Sequence, residues 1–132
     1  MKWLLVLLVA CSPPPPPAKP AGELQMKQYV FVVLRRGPAW TAEETPETKR
    51  LFEGHMANIK AMAKAGKLIL AGPMDAPATD TSAIAGIFVF DNVDRAGVEQ
   101  LLVHDPAIAA HRLVPEYLSW YGPAGLTYPG KL

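Results

Sequence analysis

The chain has one cysteine, Cys11, in 132 residues, so no internal disulfide can form. It also has almost no surplus charge, with thirteen basic and twelve acidic side chains and a formal net charge of +1. A domain without a basic excess lacks the electrostatic footprint of a nucleic-acid binder, and no nucleic-acid partner is expected. No apolar run approaches the roughly 20 residues that a membrane-spanning helix needs. His-x₃-His and HExxH spacings are missing, and His104 and His111 stand too far apart along the chain to replace them, so no metal is expected. Glycine-rich phosphate loops, P-loop patterns and GxSxG elbows are missing too, and no cofactor is expected. No internal repeat is visible. What is present is apolar side chain, 50% of the total, which excludes a disordered protein and suffices for the core of one small domain.

The first residues read as an address. Lys2 supplies a positive charge, Trp3 to Ala10 is wholly apolar, and Leu8-Val9-Ala10-Cys11 has the form of a bacterial lipobox. A charged start, a short apolar run and a small residue before the cut describe a signal peptide over residues 1–10. Cleavage there removes Lys2 and leaves basic and acidic side chains equal in number. Cys11 is then the expected lipidation site, and several acyl chains at about 0.8 kcal/mol per buried CH₂ give stable anchoring. Residues 11–27 form the expected tether. Its Pro13 to Pro17 run favours an extended polyproline path, which holds a domain away from a membrane; the other reading of such a run is an SH3-type ligand. Ser12 favours an outer-membrane location in a Gram-negative cell.

The domain is expected over residues 28–126, with a tail at 127–132. Tyr29 to Leu34 is a continuous β-branched and aromatic run, the pattern of a central strand. Thr45-Pro46 is a helix start, with Thr as N-cap and Pro at the first helical position. Leu51, Phe52, His55, Met56, Ile59, Met62 and Ala63 recur at spacings of three and four as one apolar stripe, and Gly66 ends the helix. Lys67 to Ala71 reads as a strand closed by Gly72-Pro73, and Ala85 to Phe90 as another. Between them Asp75 and Asp80 read as turn residues. Asn92 or Asp94 caps a second helix, and Asp105-Pro106 starts one further short turn. Leu113 to Tyr121 is a last strand, and Pro115 within it marks it as an edge. The order β-α-β-β-α-β predicts a ferredoxin-like α+β fold with an antiparallel sheet in the order 4-1-3-2.

Several residues in this frame could carry chemistry. His55, in the middle of the first helix, titrates near neutral pH and can take and return a proton; its structural alternative is a half-buried ring held by one hydrogen bond. Gly54 beside it is unfavourable in a helix interior and suggests close approach by another backbone or a ligand. Asp105 could orient that histidine, or serve as a plain N-cap, and the two roles are compatible. Arg35 and Arg36 follow the first strand and could pair with an anionic substrate, or be a solvated strand end. Tyr117, Trp120 and Tyr121 suit stacking on a ligand, or packing at a sheet edge or a dimer contact.

Tyr29 to Leu126 resembles the YCII-related family. The resemblance rests on Leu34-Arg35-Arg36-Gly37-Pro38 with Trp40, on Glu44-Thr45-Pro46, and on His55 followed by Ala57-Asn58-Ile59. It continues through Gly66-Lys67-Leu68, Ala71-Gly72-Pro73, Gly86-Ile87-Phe88, Asp105-Pro106-Ala107 and Trp120-Tyr121-Gly122-Pro123. It implies a dimeric α+β barrel: a homodimer whose two sheets close together, with a pocket between sheet and helices. It also implies an active site on a His and an Asp, here His55 and Asp105. Arg35, Arg36, Gly72 and Pro73 are the expected substrate-binding residues, and a small molecule the expected ligand. Relatives of that family include a dehydrochlorinase and, more distantly, muconolactone isomerase. The lipoprotein leader and polyproline tether depart from the family pattern. Two functions stand at this point: an acid–base enzyme of elimination or isomerisation type on a small organic substrate, or a non-catalytic dimeric module of the cell envelope.

Overall fold

The computed structural model describes Gly22 and residues 24–127; Cys11, the signal peptide and the polyproline run lie outside the described residues. Four strands and three helices follow in the order β1 (Met26–Arg36), α1 (Pro46–Lys64), β2 (Leu68–Pro73), β3 (Ile84–Phe90), α2 (Arg95–Leu102), α3 (Pro106–Ala109) and β4 (Leu113–Pro123). The sheet is antiparallel in the order β2-β3-β1-β4, the ferredoxin-like α+β arrangement that the pattern predicts. No helix among the described residues is long and apolar enough to cross a membrane.

The most apolar strands take the centre because both of their faces need cover. Pro115 cannot donate to a ladder, and it sits in β4, which has a neighbour on one side only. Gly72-Pro73 does not close β2 as expected. The ladder with β3 continues through both residues, Gly72 opposite Ile87 and Pro73 opposite Gly86. Pro73 is tolerated there because β2 is the other edge and Pro73 its last residue. β1 likewise starts at Met26, ahead of the expected Tyr29, because β4 is long enough to pair with it as far as Pro123.

α1 begins with a capping box. The Thr48 amide donates to the Thr45 hydroxyl at 3.1 Å, and the Thr45 amide donates to the Thr48 hydroxyl at 2.8 Å. Gly66, at φ 70°, turns the chain out of the helix into β2. Leu51, His55, Ile59 and Met62 are the buried residues of α1. Asp94, not Asn92, caps α2, accepting from the Gly97 amide at 2.9 Å. The core lies between the helices and one sheet face, where Val32, Leu34, Phe88 and Phe90 meet Ile59, Met62, Val98 and Leu102. Alternation along the strands turns Phe31, Leu118 and Trp120 to the opposite face. Leu118 and Trp120 are exposed there, with Leu70 and Val114.

Candidate functional site

The site is assembled where α1, α3 and the ends of β1, β2 and β3 converge. His55 faces the sheet because it is one turn from both Leu51 and Ile59, the residues that anchor α1. Its ring is 8% exposed and lies nearly parallel to Phe88, with centroids 5.9 Å apart. Asp105 reaches it from the N-terminus of α3. The His55 Nδ1 lies 2.8 Å from Oδ2 and 3.0 Å from Oδ1 of that carboxylate.

Asp105 is wholly buried and fully used. Oδ1 accepts from the backbone N–H groups of Ala107 at 3.0 Å and Ile108 at 3.3 Å, which makes it the N-cap of α3. Oδ2 also accepts from the Asn58 side-chain amide at 3.0 Å. Burial alone pushes this carboxyl up. The hydrogen bonds from His55 and Asn58, the attraction of His55 and the Ile108 amide outweigh burial and hold it below the usual carboxylate value. Asp105 is therefore ionised at neutral pH and can only accept. The hydrogen shared with it must sit on Nδ1 of His55. In the neutral ring the lone pair is then on Nε2, which has no hydrogen-bond partner among the described residues.

Gly54 makes this pairing possible. A Cβ there would stand 2.7 Å from Cγ of Pro106, the residue after Asp105. α3 can settle against α1 only because that methyl group is missing. The close approach suggested by the glycine is by α3.

His55 lines a cleft of about 610 Å³ between α1 and the sheet. Its walls are mainly apolar, with Trp40, Phe52, Met56, Met74 and Phe88 among them, and Gly72 and Pro73 contribute as expected. Arg36 lines it as well, its guanidinium stacked over the Trp40 ring at 4.0 Å. Arg35 does not reach it. Adjacent strand residues point to opposite faces, so Arg35 lies on the other side of the sheet, bonded to Glu116 at 2.9 Å. Tyr117, Trp120 and Tyr121 also lie away from this cleft: Tyr117 packs under Arg95, and Trp120 against Tyr29 and Phe31. Asp80 holds a turn, accepting from the Ser82 amide and hydroxyl. Among the described residues, no group of three or more His, Cys, Asp or Glu side chains is placed to hold a metal ion.

Three contributors went unassigned in the sequence. Asn58 carried a signal, since it follows His55 by three and must share its side of the helix. Phe52 was read into the core stripe, yet it is 61% exposed at the cleft. Arg112 carried none; the α3–β4 connection brings it to the cleft, and its guanidinium donates to the Thr41 carbonyl at 2.9 Å.

Fold and site together define a small α+β domain with a buried His–Asp pair opening on an apolar cleft. The sequence matches no protein-family profile and no curated protein. Among solved structures, the chain is similar to a 5-chloro-2-hydroxyhydroquinone dehydrochlorinase from Burkholderia phenoliruptrix AC1100, in complex with 2,5-dihydroxybenzoquinone. The two are 15% identical with a TM-score of 0.46, and the match covers 69% of this chain and 92% of that one.

Proposed function

We propose that the domain is a general acid–base enzyme acting on a small organic substrate, by elimination or isomerisation, with His55 as the proton carrier. The observation that carries this reading is the hydrogen bond of His55 Nδ1 to the buried Asp105 carboxylate, which leaves Nε2 as the basic atom of a ring lining the cleft. In the first half-reaction, Nε2 takes a proton from carbon or oxygen of the bound substrate. The imidazolium so formed is stabilised by Asp105, which stays ionised. In the second half, Nε2–H returns the proton to a neighbouring position, completing an isomerisation. In an elimination it instead releases the proton to solvent as the leaving group departs. Phe88 and the apolar walls keep water from competing for the ring.

In this reading the domain works as a homodimer through the sheet face that bears Leu70, Val114, Leu118 and Trp120, all exposed in the single chain. Burying apolar surface of that kind is the main favourable term in stable association. Cys11 carries the lipid anchor, and the domain works in the cell envelope at the end of its tether.

The test is proton exchange. The full chain is incubated in D₂O with a panel of small carbonyl and hydroxylated ring compounds, and deuterium incorporation is followed by proton NMR. Exchange of at least one compound by the wild-type chain, reduced 100-fold or more in His55→Gln, is expected. Equal rates in both proteins across the panel remove the reading and leave the alternative, a binding module in which Asp105 is only the cap of α3.

A further inference from the structure

The charged side chains that line the cleft are all of one sign. Arg36 and Arg112 enter it beside His55, and no Asp or Glu does. Neither guanidinium forms an ion pair with a carboxylate among the described residues, whereas Arg35, Arg50 and Arg95 each do. Arg36 gives its terminal N–H groups to the carbonyls of Ala76, Pro77 and Asp80, which are neutral acceptors. Its buried Nε has no hydrogen-bond partner among the described residues. The Asp80 carboxylate feels the charge of Arg36, but its hydrogen bonds go to Ser82. Arg112 gives one N–H to the Thr41 carbonyl and has donors to spare. A second hollow among the described residues, about 440 Å³ near the start of β1, differs: Lys27 there is held by Asp91, and Arg95 by Glu99.

Two guanidiniums beside apolar walls, neither bonded to a carboxylate among the described residues and one with donors to spare, favour an anion that brings its own apolar surface. A small hydrophilic anion would leave Trp40 and Phe52 wet, and a neutral ring would leave the spare Arg112 donors without an anionic acceptor. We infer that the ligand of this cleft is a ring-bearing organic anion, its ring against the apolar walls that include Trp40 and Phe52 and its carboxylate or phenolate oxygen on Arg112. This rests on the proposed function, since it names the substrate class of the same site. A ligand whose anionic end sits on Arg112 has its ring in the cleft that His55 also lines, so the proton moved is one on or next to the ring.

The experiment is calorimetric titration of the full chain with naphthalene-2-carboxylate, its neutral amide, the corresponding naphthylmethylammonium ion, and acetate. The carboxylate is expected to bind at least tenfold more tightly than the amide, with no detectable binding of the ammonium ion or acetate. Arg112→Gln is expected to shrink the acid-to-amide ratio at least fivefold with the amide unchanged. An amide that binds as well as the acid, or acetate that binds as well as the naphthalene acid, overturns the inference. If Arg112→Gln does not fold, the ratio in the unaltered chain decides. Binding is read without turnover. A chain that prefers the acid but exchanges no proton keeps this inference and loses the proposed function; the reverse outcome separates them the other way.

Discussion

Gly54 and Pro106 stand so close that a Cβ on the glycine would lie 2.7 Å from the proline Cγ. This contact joins the helix that carries His55 to the one that carries Asp105. A proline ring cannot swing aside as the end of a long side chain can. Alanine is worth about 1 kcal/mol more than glycine in a helix interior, but overpacking of this kind costs about 1–3 kcal/mol. Gly54→Ala is therefore expected to lower the urea midpoint and to weaken the proton exchange of the cleft. A gain in stability of about 1 kcal/mol would show that α3 yields freely.

Asp105→Asn tests the pair from the other side. Its amide cannot accept from His55, Asn58 and two backbone N–H groups as the carboxylate does, so a loss of about 1.5–3 kcal/mol at neutral pH is expected. The pH dependence follows from the lowered carboxyl. Its folded value lies below its unfolded one, so its stabilisation is fully present above the unfolded value near 3.9 and fades as pH falls through the folded one. Denaturant melts at pH 5 and 3 should show the gap between wild type and variant narrower at 3 than at 5. A gap independent of pH would mean that the carboxylate charge contributes nothing.

Asn58→Ala removes one of the bonds that hold the Asp105 carboxyl down. The folded value should rise toward the ordinary one, and the onset of acid unfolding should move to higher pH. About 1 kcal/mol of stability should go with it. His55 keeps its bond to Asp105, so the chain should stay folded at neutral pH. An acid limb that superimposes on the wild type would show that Asn58 does not act on the carboxylate.

Phe52→Ser separates packing from binding. The ring is 61% exposed, so the change should leave stability within about 0.5 kcal/mol. It should weaken binding of the naphthalene carboxylate several-fold, because Phe52 forms part of the cleft wall. A large loss of stability with binding intact would return Phe52 to the core.

The proposed dimer predicts that Trp120→Glu gives a monomer. Trp120 is 36% exposed on the face without helices, beside Leu118 at 45%. Light scattering across a concentration series is the measurement. Identical masses for variant and wild type would locate the dimer contact elsewhere or remove it.

Much of this fold was legible because local rules and topology agreed. Pro115 named its own strand as an edge, Thr45-Pro46 named the start of α1, and the apolar density of Tyr29 to Leu34 named the centre of the sheet. Asp105-Pro106 read correctly as a helix start, though a cap alone says nothing of what its second oxygen meets. The stripe on α1 was legible in period but not in width. Leu51, His55 and Ile59 are buried, whereas Phe52, turned about 100° from Leu51, meets the open side of the cleft. Periodicity marks an apolar side of a helix and does not tell a core wall from a cleft wall. Arg112 was illegible for a different reason. Its place depends on how α3 and β4 join, and His111 before it takes φ 55°, a left-handed turn that its residue type does not announce.

α3 is only four residues long, and no isolated segment of that length holds itself in helical form. Its persistence depends on the same carboxylate that orients His55, so fraying of α3 and loss of the proposed proton carrier are one event. The readiness of the histidine is then a local opening equilibrium, visible as amide hydrogen exchange at Ala109 and Ala110, whose N–H groups bond back to Asp105 and Pro106. A molecule that seats against His55 should slow exchange at those two amides, neither of which lines the cleft. The end of the short helix thereby reports occupancy of a cleft that only its first turn, through Ala107, lines.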